Sequence, residues 1–210
     1  MIPPRLVLAT GNAGKVRELT ALVAEWGAVE VVSLADFPGV ACPEETGTTY
    51  GENAVAKARA VSAATGLPAL ADDSGLAVEA LGGAPGLHSA RYAATDGERI
   101  AKLLAALAGV PVAGRAARFC CAVALAWPDG RVHVASGEVP GTIALAARGA
   151  GRGFGYDPIF IADELGDRTF AEASAAEKHA LSHRARAMRA LGALLDSCNV
   201  ARPARGVLGR

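Results

Sequence analysis

The first thirty-four residues restrict the fold more than any other stretch of the chain. Arg5–Thr10 (RLVLAT) is a short apolar run that stops at Gly11; directly after it Val16, Leu19, Leu22, Val23 and Trp26 recur at helical spacing until Gly27. A brief apolar run closed by glycine suits a buried strand, and a stripe of period 3.6 suits an amphipathic helix. Asn12 stands where a helix cap is needed. Val29–Leu34 reads as a second strand. Strand, helix and strand in close succession lead to a sheet covered by helices, with its first strands parallel.

The rest of the chain bends that sheet into a mixed one. A loop rich in proline, glycine and acids covers Asp36–Gly47, and Thr49-x-x-Glu52 is a capping box opening a helix to about Thr65. Pro68–Asp73 reads as a strand and Gly75–Leu81 as a separate one. Asp96 is placed to cap a helix carrying Ile100, Leu103, Leu104 and Leu107. Ala117–Trp127 and Arg131–Val139 flank the turn Pro128-Asp129-Gly130, which predicts an antiparallel hairpin. Pro140-Gly141 then turns the chain into a strand Thr142–Ala146, and a further strand is expected at Ile159–Ala162. Ser174-x-x-Glu177 opens one helix bearing Leu181, Ala185, Met188, Leu191 and Leu195. The class is therefore α/β, with a mixed, partly antiparallel central sheet flanked by helices. A single domain is expected over 1–197, with 198–210 as a flexible tail.

Composition removes several function classes. Hydrophobic residues are 51% and charged residues 20%, which excludes a disordered chain. A length of 210 residues buries roughly 70% of the unfolded surface, so no disulfide or metal staple is needed. Lys+Arg and Asp+Glu are both 21, so the chain lacks the basic excess of a protein that tracks a nucleic-acid backbone. An anionic ligand must meet a local positive site. The N-terminal apolar stretch Leu6–Ala9 is too short for a signal or membrane segment. Cys42, Cys120, Cys121 and Cys198 form no C-x-x-C pair, which points to reduced thiols and a cytoplasmic location. No histidine pair has zinc spacing and there is no Gly-x-Ser-x-Gly elbow.

Four clusters can carry chemistry. Thr10-Gly11-Asn12-Ala13-Gly14-Lys15 joins a strand to a helix, so free amides and a first-turn lysine form an anion site. It is not a Walker A loop, and on spacing alone it reads equally as a glycine turn with a solvated lysine. Gly149–Pro158 fails the dinucleotide fingerprint but sets Phe154 and Tyr156 beside Asp157; the rings suit base stacking, although an isolated aromatic pair is more commonly loop packing. Asp72-Asp73 ends a strand and Glu44-Glu45 precedes a helix. One carboxylate from each pair would suit Mg²⁺, while a solvated loop and a polar turn explain them as well. Strand neighbours point to opposite faces, so one of Asp72 and Asp73 faces any given cleft. Glu177-Lys178 and Ser182-His183-Arg184 flank the core stripe of the last helix, and on their own they read as a solvated basic face.

The order of the motifs is more specific than any one of them. Thr10-Gly-Asn-Ala-Gly-Lys15, Glu44-Glu-Thr-Gly47, Glu52-Asn-Ala54 with Lys57-Ala-Arg59, and Ala71-Asp-Asp-Ser-Gly-Leu76 come first. Gly82-Gly-Ala-Pro-Gly86 with Ser89-Ala-Arg-Tyr92, Gly153-Phe-Gly-Tyr-Asp-Pro158 and Glu177-Lys178 with Ser182-His-Arg184 follow. Over Leu6–Leu195 the chain closely resembles the inosine triphosphate pyrophosphatase family, the XTP/dITP diphosphatases. The resemblance implies an α/β fold of two lobes with a cleft between them. It implies Mg²⁺-dependent hydrolysis of ITP, dITP and XTP to the monophosphate and pyrophosphate, and a homodimer.

The resemblance also implies roles. Thr10, Gly11, Asn12, Ala13, Gly14 and Lys15 would hold the triphosphate. Glu44 and Asp73 would bind Mg²⁺, with Asp73 the general base, and Ser74 would contact the substrate. Phe154, Gly155, Tyr156 and Asp157 would line the base pocket, with Phe154 stacked on the purine. Lys178, His183 and Arg184 would read the nucleotide, including its 6-oxo edge. His88 departs from the apolar or aromatic residue many relatives carry. Two alternatives stand beside this reading. A Maf-type nucleotide pyrophosphatase fits poorly, because its opening motif carries serine and paired arginines. A regulator that binds nucleotide without turnover is opposed by the intact Asp73, Glu44 and Lys15.

Overall fold

The computed structural model describes residues 1–149 and 151–200. Six strands form one sheet in the order β2-β1-β3-β4-β5-β6. They are β1 Arg5–Leu8, β2 Glu30–Ser33, β3 Ala69–Val78, β4 Ala116–Ala126, β5 Val132–Ile143 and β6 Phe160–Ala162. β1 pairs parallel with β2 and β3, whereas β3–β4, β4–β5 and β5–β6 are antiparallel. The mixed sheet expected from the chain is thus observed. The helices are α1 Ala13–Val23, α2 Tyr50–Thr65, α3 Asp96–Ala106, α4 Ala175–Leu181 and α5 His183–Val200.

Strand alternation sorts the core into two layers. Leu6, Leu8, Leu70, Cys121, Val123 and Leu125 face α1 and α5. Val7, Ala9, Ala69, Ala71, Ala122, Ala124 and Ala126 face α2. A third cluster joins the far ends of β3, β4 and β5 to α3 and β6 through Leu76, Phe119, Val139, Phe160 and Leu103. The small alanines on the α2 side let that helix lie close, while the leucines opposite fill the wider space under two helices. Truncating one of the buried leucines to alanine costs about 2–5 kcal/mol. The same alternation continues past the apolar residues: Asp72 follows Leu70 toward α1 and α5, and Asp73 follows Ala71 toward α2.

Four local expectations are corrected. β3 does not break at Ser74-Gly75 but runs on to Val78, paired with β4 throughout. Gly75 is not a turn residue; a side chain there would meet the Tyr50 hydroxyl at 2.6 Å and Ser89 Oγ at 2.8 Å. β5 likewise runs through Pro140-Gly141 to Ile143 instead of turning. β6 covers only Gly141–Ile143, so Pro140 lies beside the open edge, where a missing N–H is tolerated. The last helix is two helices, broken where Ser182 is extended (φ −62°, ψ 153°). Ser182 Oγ accepts from Ala185 N at 3.2 Å and starts α5 afresh. Thr95, not Asp96, caps α3, in a reciprocal box with Glu98. α5 reaches Val200, and the remainder of the expected tail, 201–210, lies outside the described residues.

Cys42, Cys120 and Cys121 are free thiols. Among the described residues no helix is long and apolar enough to cross a membrane.

Candidate active site

The site begins where β1 hands over to α1. Asn12 Oδ1 accepts from Gly14 N at 2.9 Å and Lys15 N at 3.1 Å, which fixes the first turn. Thr10 Oγ1 accepts from Asn12 N at 3.2 Å. Gly11, Asn12 and Ala13 are exposed, so the positive end of α1 faces open space. Gly14 is buried for another reason: a Cβ there would lie 2.8 Å from the Phe154 ring. The base-side loop therefore rests on the phosphate-side helix.

On the α1/α5 face of β3, Asp72 is the hub of a buried charge network. Lys15 Nζ lies 3.1 Å from Asp72 Oδ2, and Arg184 donates to the same oxygen through Nε at 3.1 Å and Nη2 at 2.9 Å. Arg184 also donates to Ser74 Oγ at 3.1 Å and to Glu18. Lys178 then joins Glu18 at 2.7 Å to Asp157 at 2.5 Å, and its ammonium sits 4.6 Å above the Phe154 ring. Burial alone would raise the Asp72 carboxyl, but Lys15, Arg184 and Lys57 more than offset it and hold Asp72 far below the usual carboxylate range. Burial dominates at Asp157 and raises it, with Lys178 and the Phe154 amide only partly opposing. His183 lies flat on Phe119, ring centroids 4.6 Å apart. Burial, then Arg184 and Lys178, push its imidazole well below the ordinary value, so it is neutral.

On the α2 face a second, smaller cluster surrounds Asp73. Asn53 Nδ2 donates to Asp73 Oδ2 at 2.9 Å, and Ser74 N donates to Oδ1 at 3.0 Å. Lys57 Nζ is shared between Glu45 Oε1 at 2.8 Å and Asp73 Oδ1 at 3.7 Å. Arg91 donates to the other oxygen of Glu45 at 2.7 Å. Burial raises the Asp73 carboxyl, and Lys57 and Asn53 offset only part of it. Burial would also raise Glu45, but the hydrogen bond and charge of Lys57, with Lys15 and Arg91, leave it lowered.

Most of the residues expected from sequence are brought together. A pocket of about 90 Å³ is lined by Asn12, Lys15, Ser74, Phe154, Gly155, Tyr156, Asp157, Lys178, His183 and Arg184, together with Asp96 and Arg99. A larger cavity of about 650 Å³ opens between α1 and α4, and Phe154 and Lys178 line both. Thr10, Gly11 and Ala13 do not line it, and neither does Asp73, which lies on the α2 side of β3 with Asn53 and Lys57. Glu44 is exposed, and the carboxylate beside Asp73 is Glu45. Asn53 and Lys57 stand in the ordered motifs without an assigned role, and Glu18 in none of them. Asn53 and Lys57 stand four apart just after the Thr49 cap, so one helix face presents both, and that spacing was the available signal.

An amide-rich helix start, a first-turn lysine and paired carboxylates on an α/β sheet make an arrangement suited to an anion and a hard cation. The comparisons agree. The Ham1 family model matches residues 6–194, and the chain belongs to the Ham1 family. It is 53% identical over 189 residues to a dITP/XTP pyrophosphatase of Geobacillus kaustophilus, covering 89% of this chain and 91% of that one. It is 54% identical over 194 residues to a protein of the same description from Gloeobacter violaceus, covering 92% and 94%. Among solved structures, a HAM1 protein from Coxiella burnetii superposes with TM-score 0.80 at 42% identity, covering 93% of this chain and all (100%) of that one. A nucleoside-triphosphatase, dITP/XTP pyrophosphatase, from Mycobacterium abscessus gives 0.71 at 43% identity, covering 91% and 98%. The resemblance drawn from the ordered motifs is borne out.

Proposed function

We propose that this protein is a nucleoside triphosphate pyrophosphatase that hydrolyses deaminated purine nucleotides, dITP, XTP and ITP, to the monophosphate and pyrophosphate. The observation that carries it is the convergence of Glu45 and Asp73 on one ammonium beside the open end of α1, in a chain about half identical to dITP/XTP pyrophosphatases. The Lys57 ammonium marks a point where two carboxylates already gather around a positive charge. Mg²⁺ commonly takes one or two carboxylates and completes its shell with phosphate oxygens and water, so this donor set fits it. Glu45 and Asp73 would hold the ion, with Glu45 in the place first assigned to Glu44. When bound, Mg²⁺ supplies positive charge to the substrate phosphates.

The chain's own residues do the rest. Asp73, fixed by Asn53 and the Ser74 amide, orients a water and accepts its proton as it attacks phosphorus. Lys15 and the amides of Gly11 and Ala13 hold the phosphates and balance charge on the departing pyrophosphate, so catalysis is mainly positioning and electrostatics. Phe154 supplies a stacking face for the base. Lys178, neutral His183 and Arg184 offer donors that suit a 6-oxo acceptor and are mismatched by the 6-amino group of adenine, at about 1–3 kcal/mol for each donor left unpaired. The pocket of about 90 Å³ is smaller than a usual ligand cleft, and the adjoining cavity of about 650 Å³, which shares Phe154 and Lys178 with it, extends the space for a nucleotide. The homodimer belongs to the same proposal and is read by light scattering.

The direct test is product identity. Phosphorus NMR of ITP incubated with enzyme and Mg²⁺ should show IMP and pyrophosphate growing in equal amounts. IDP and orthophosphate would refute the assigned bond cleavage.

A further inference from the structure

The loop that carries Phe154 is built from residues that favour disorder. Gly151, Gly153 and Gly155 all take positive φ (78°, 75° and 59°). Such a segment has much conformational freedom to lose, so its position depends on what ties it down. The Arg152 amide bonds back to Gly149 O at 3.1 Å, and the Phe154 amide to Asp157 Oδ2 at 2.8 Å. Both partners belong to the same stretch of chain. The loop is tied to the rest of the protein at its end, where Tyr156 OH donates to Ser89 O at 3.0 Å and Asp157 accepts from Lys178 at 2.5 Å; nearer the Phe154 ring, the Gly155 amide donates to Asp96 Oδ2 at 2.7 Å, across 59 residues of sequence.

Asp96 is itself well placed to act as an anchor. It is the first residue of α3, and because Thr95 supplies the cap, its carboxylate is free to reach outward. Its other oxygen is held by Arg99 Nη1 at 2.5 Å, one turn on. Arg99 is braced in turn by the carbonyls of Ala93 at 3.0 Å and Ala94 at 3.3 Å. Asp96 and Arg99 line the same pocket as Lys15, Ser74, His183 and Arg184.

We propose that Asp96 is a positioning residue for the purine: it pins the Gly155 amide and so holds the Phe154 ring where the base stacks. This rests on the pyrophosphatase reading. Asp96 touches neither the phosphates nor the proposed metal carboxylates, so it acts on nucleotide affinity rather than on bond cleavage. Loss of a charge-assisted hydrogen bond predicts a KM for ITP about tenfold higher in Asp96→Ala, with kcat within about twofold of wild type. Asp96→Asn keeps an acceptor oxygen and should recover most of the affinity.

The experiment measures kcat, KM and melting temperature for wild type, Asp96→Ala and Asp96→Asn, with IMP affinity by calorimetry. A raised KM at steady kcat, rescued by asparagine and with parallel weakening of IMP, supports the proposal. An unchanged KM and IMP affinity in the alanine variant overturns it. So does a joint fall of kcat and melting temperature that asparagine does not rescue, which marks a purely structural role. If wild type binds ITP without releasing pyrophosphate, the functional reading fails, and the IMP affinities still decide the role of Asp96.

Discussion

Asp72 and Asp73 share a peptide bond yet face opposite sides of β3, and their carboxyl groups are displaced in opposite directions. Asp72 is held ionised between Lys15 and Arg184, while Asp73 is raised by burial that Lys57 and Asn53 only partly offset. The two substitutions should therefore fail differently. Asp73→Asn keeps the size but sets an NH2 against the Asn53 or Ser74 N–H, so the melting temperature should fall by only a few degrees while turnover falls by about 10²–10⁴. Asp72→Asn removes the carboxylate that Lys15 and the buried Arg184 share, leaving Arg184 only Glu18, at about 3–5 kcal/mol, a drop of roughly 10 °C in melting temperature for a chain of this size. Thermal melts beside pyrophosphate release distinguish them; equal behaviour would contradict the division of labour.

Glu44 and Glu45 make a second such pair. Glu45→Gln should raise the Mg²⁺ concentration for half-maximal activity by about tenfold or more. Glu44→Gln should stay within about twofold, because Glu44 is exposed and away from Asp73. A magnesium titration of both variants checks this, and a larger effect at Glu44 would restore the first assignment.

How much of this was legible follows from where the signal lies. Period-two alternation along β3 already implied that only one of the paired aspartates faces a given cleft. The loop holding Glu44-Glu45 has no period, so nothing local said which glutamate turns inward. Arg184 lines the pocket as expected, and its guanidinium is also bound to Asp72, Glu18 and Ser74. That pairing crosses more than a hundred residues and leaves no local trace. The break at Ser182 was hidden for the opposite reason: an apolar stripe continues through it, and only the serine cap marks the interruption. Gly75 and Pro140 read as turns because glycine and proline usually are; tertiary contact reversed both.

Gly14→Ala tests the contact between the two ligand-side loops. A methyl there would lie 2.8 Å from the Phe154 ring, so the ring must move. Overpacking of this kind costs about 1–3 kcal/mol, and the KM for ITP should rise about tenfold. Steady-state kinetics read it; an unchanged KM would mean that the ring's resting place is unrelated to base binding.

His183 should make the fold acid-sensitive. Its folded value lies well below 6.5, so below pH 6.5 the unfolded chain binds the proton and the native state does not. The associated stability is complete above pH 6.5 and is lost as pH falls toward the folded value, by at most about 1.4 kcal/mol per pH unit. Melting temperature recorded from pH 7.5 to 5.5 should fall in wild type and fall less in His183→Gln. Parallel curves would assign the acid sensitivity to other groups.

The central claim is that this site cleaves deaminated purine triphosphates with a divalent ion held by Glu45 and Asp73. The measurement is pyrophosphate release from ITP, XTP, dITP, ATP and GTP, each with Mg²⁺ and again with EDTA. The account predicts rapid release from the first three, far slower release from ATP and GTP, and none with EDTA. Undiminished release in EDTA, or equal rates on all five nucleotides, would contradict it.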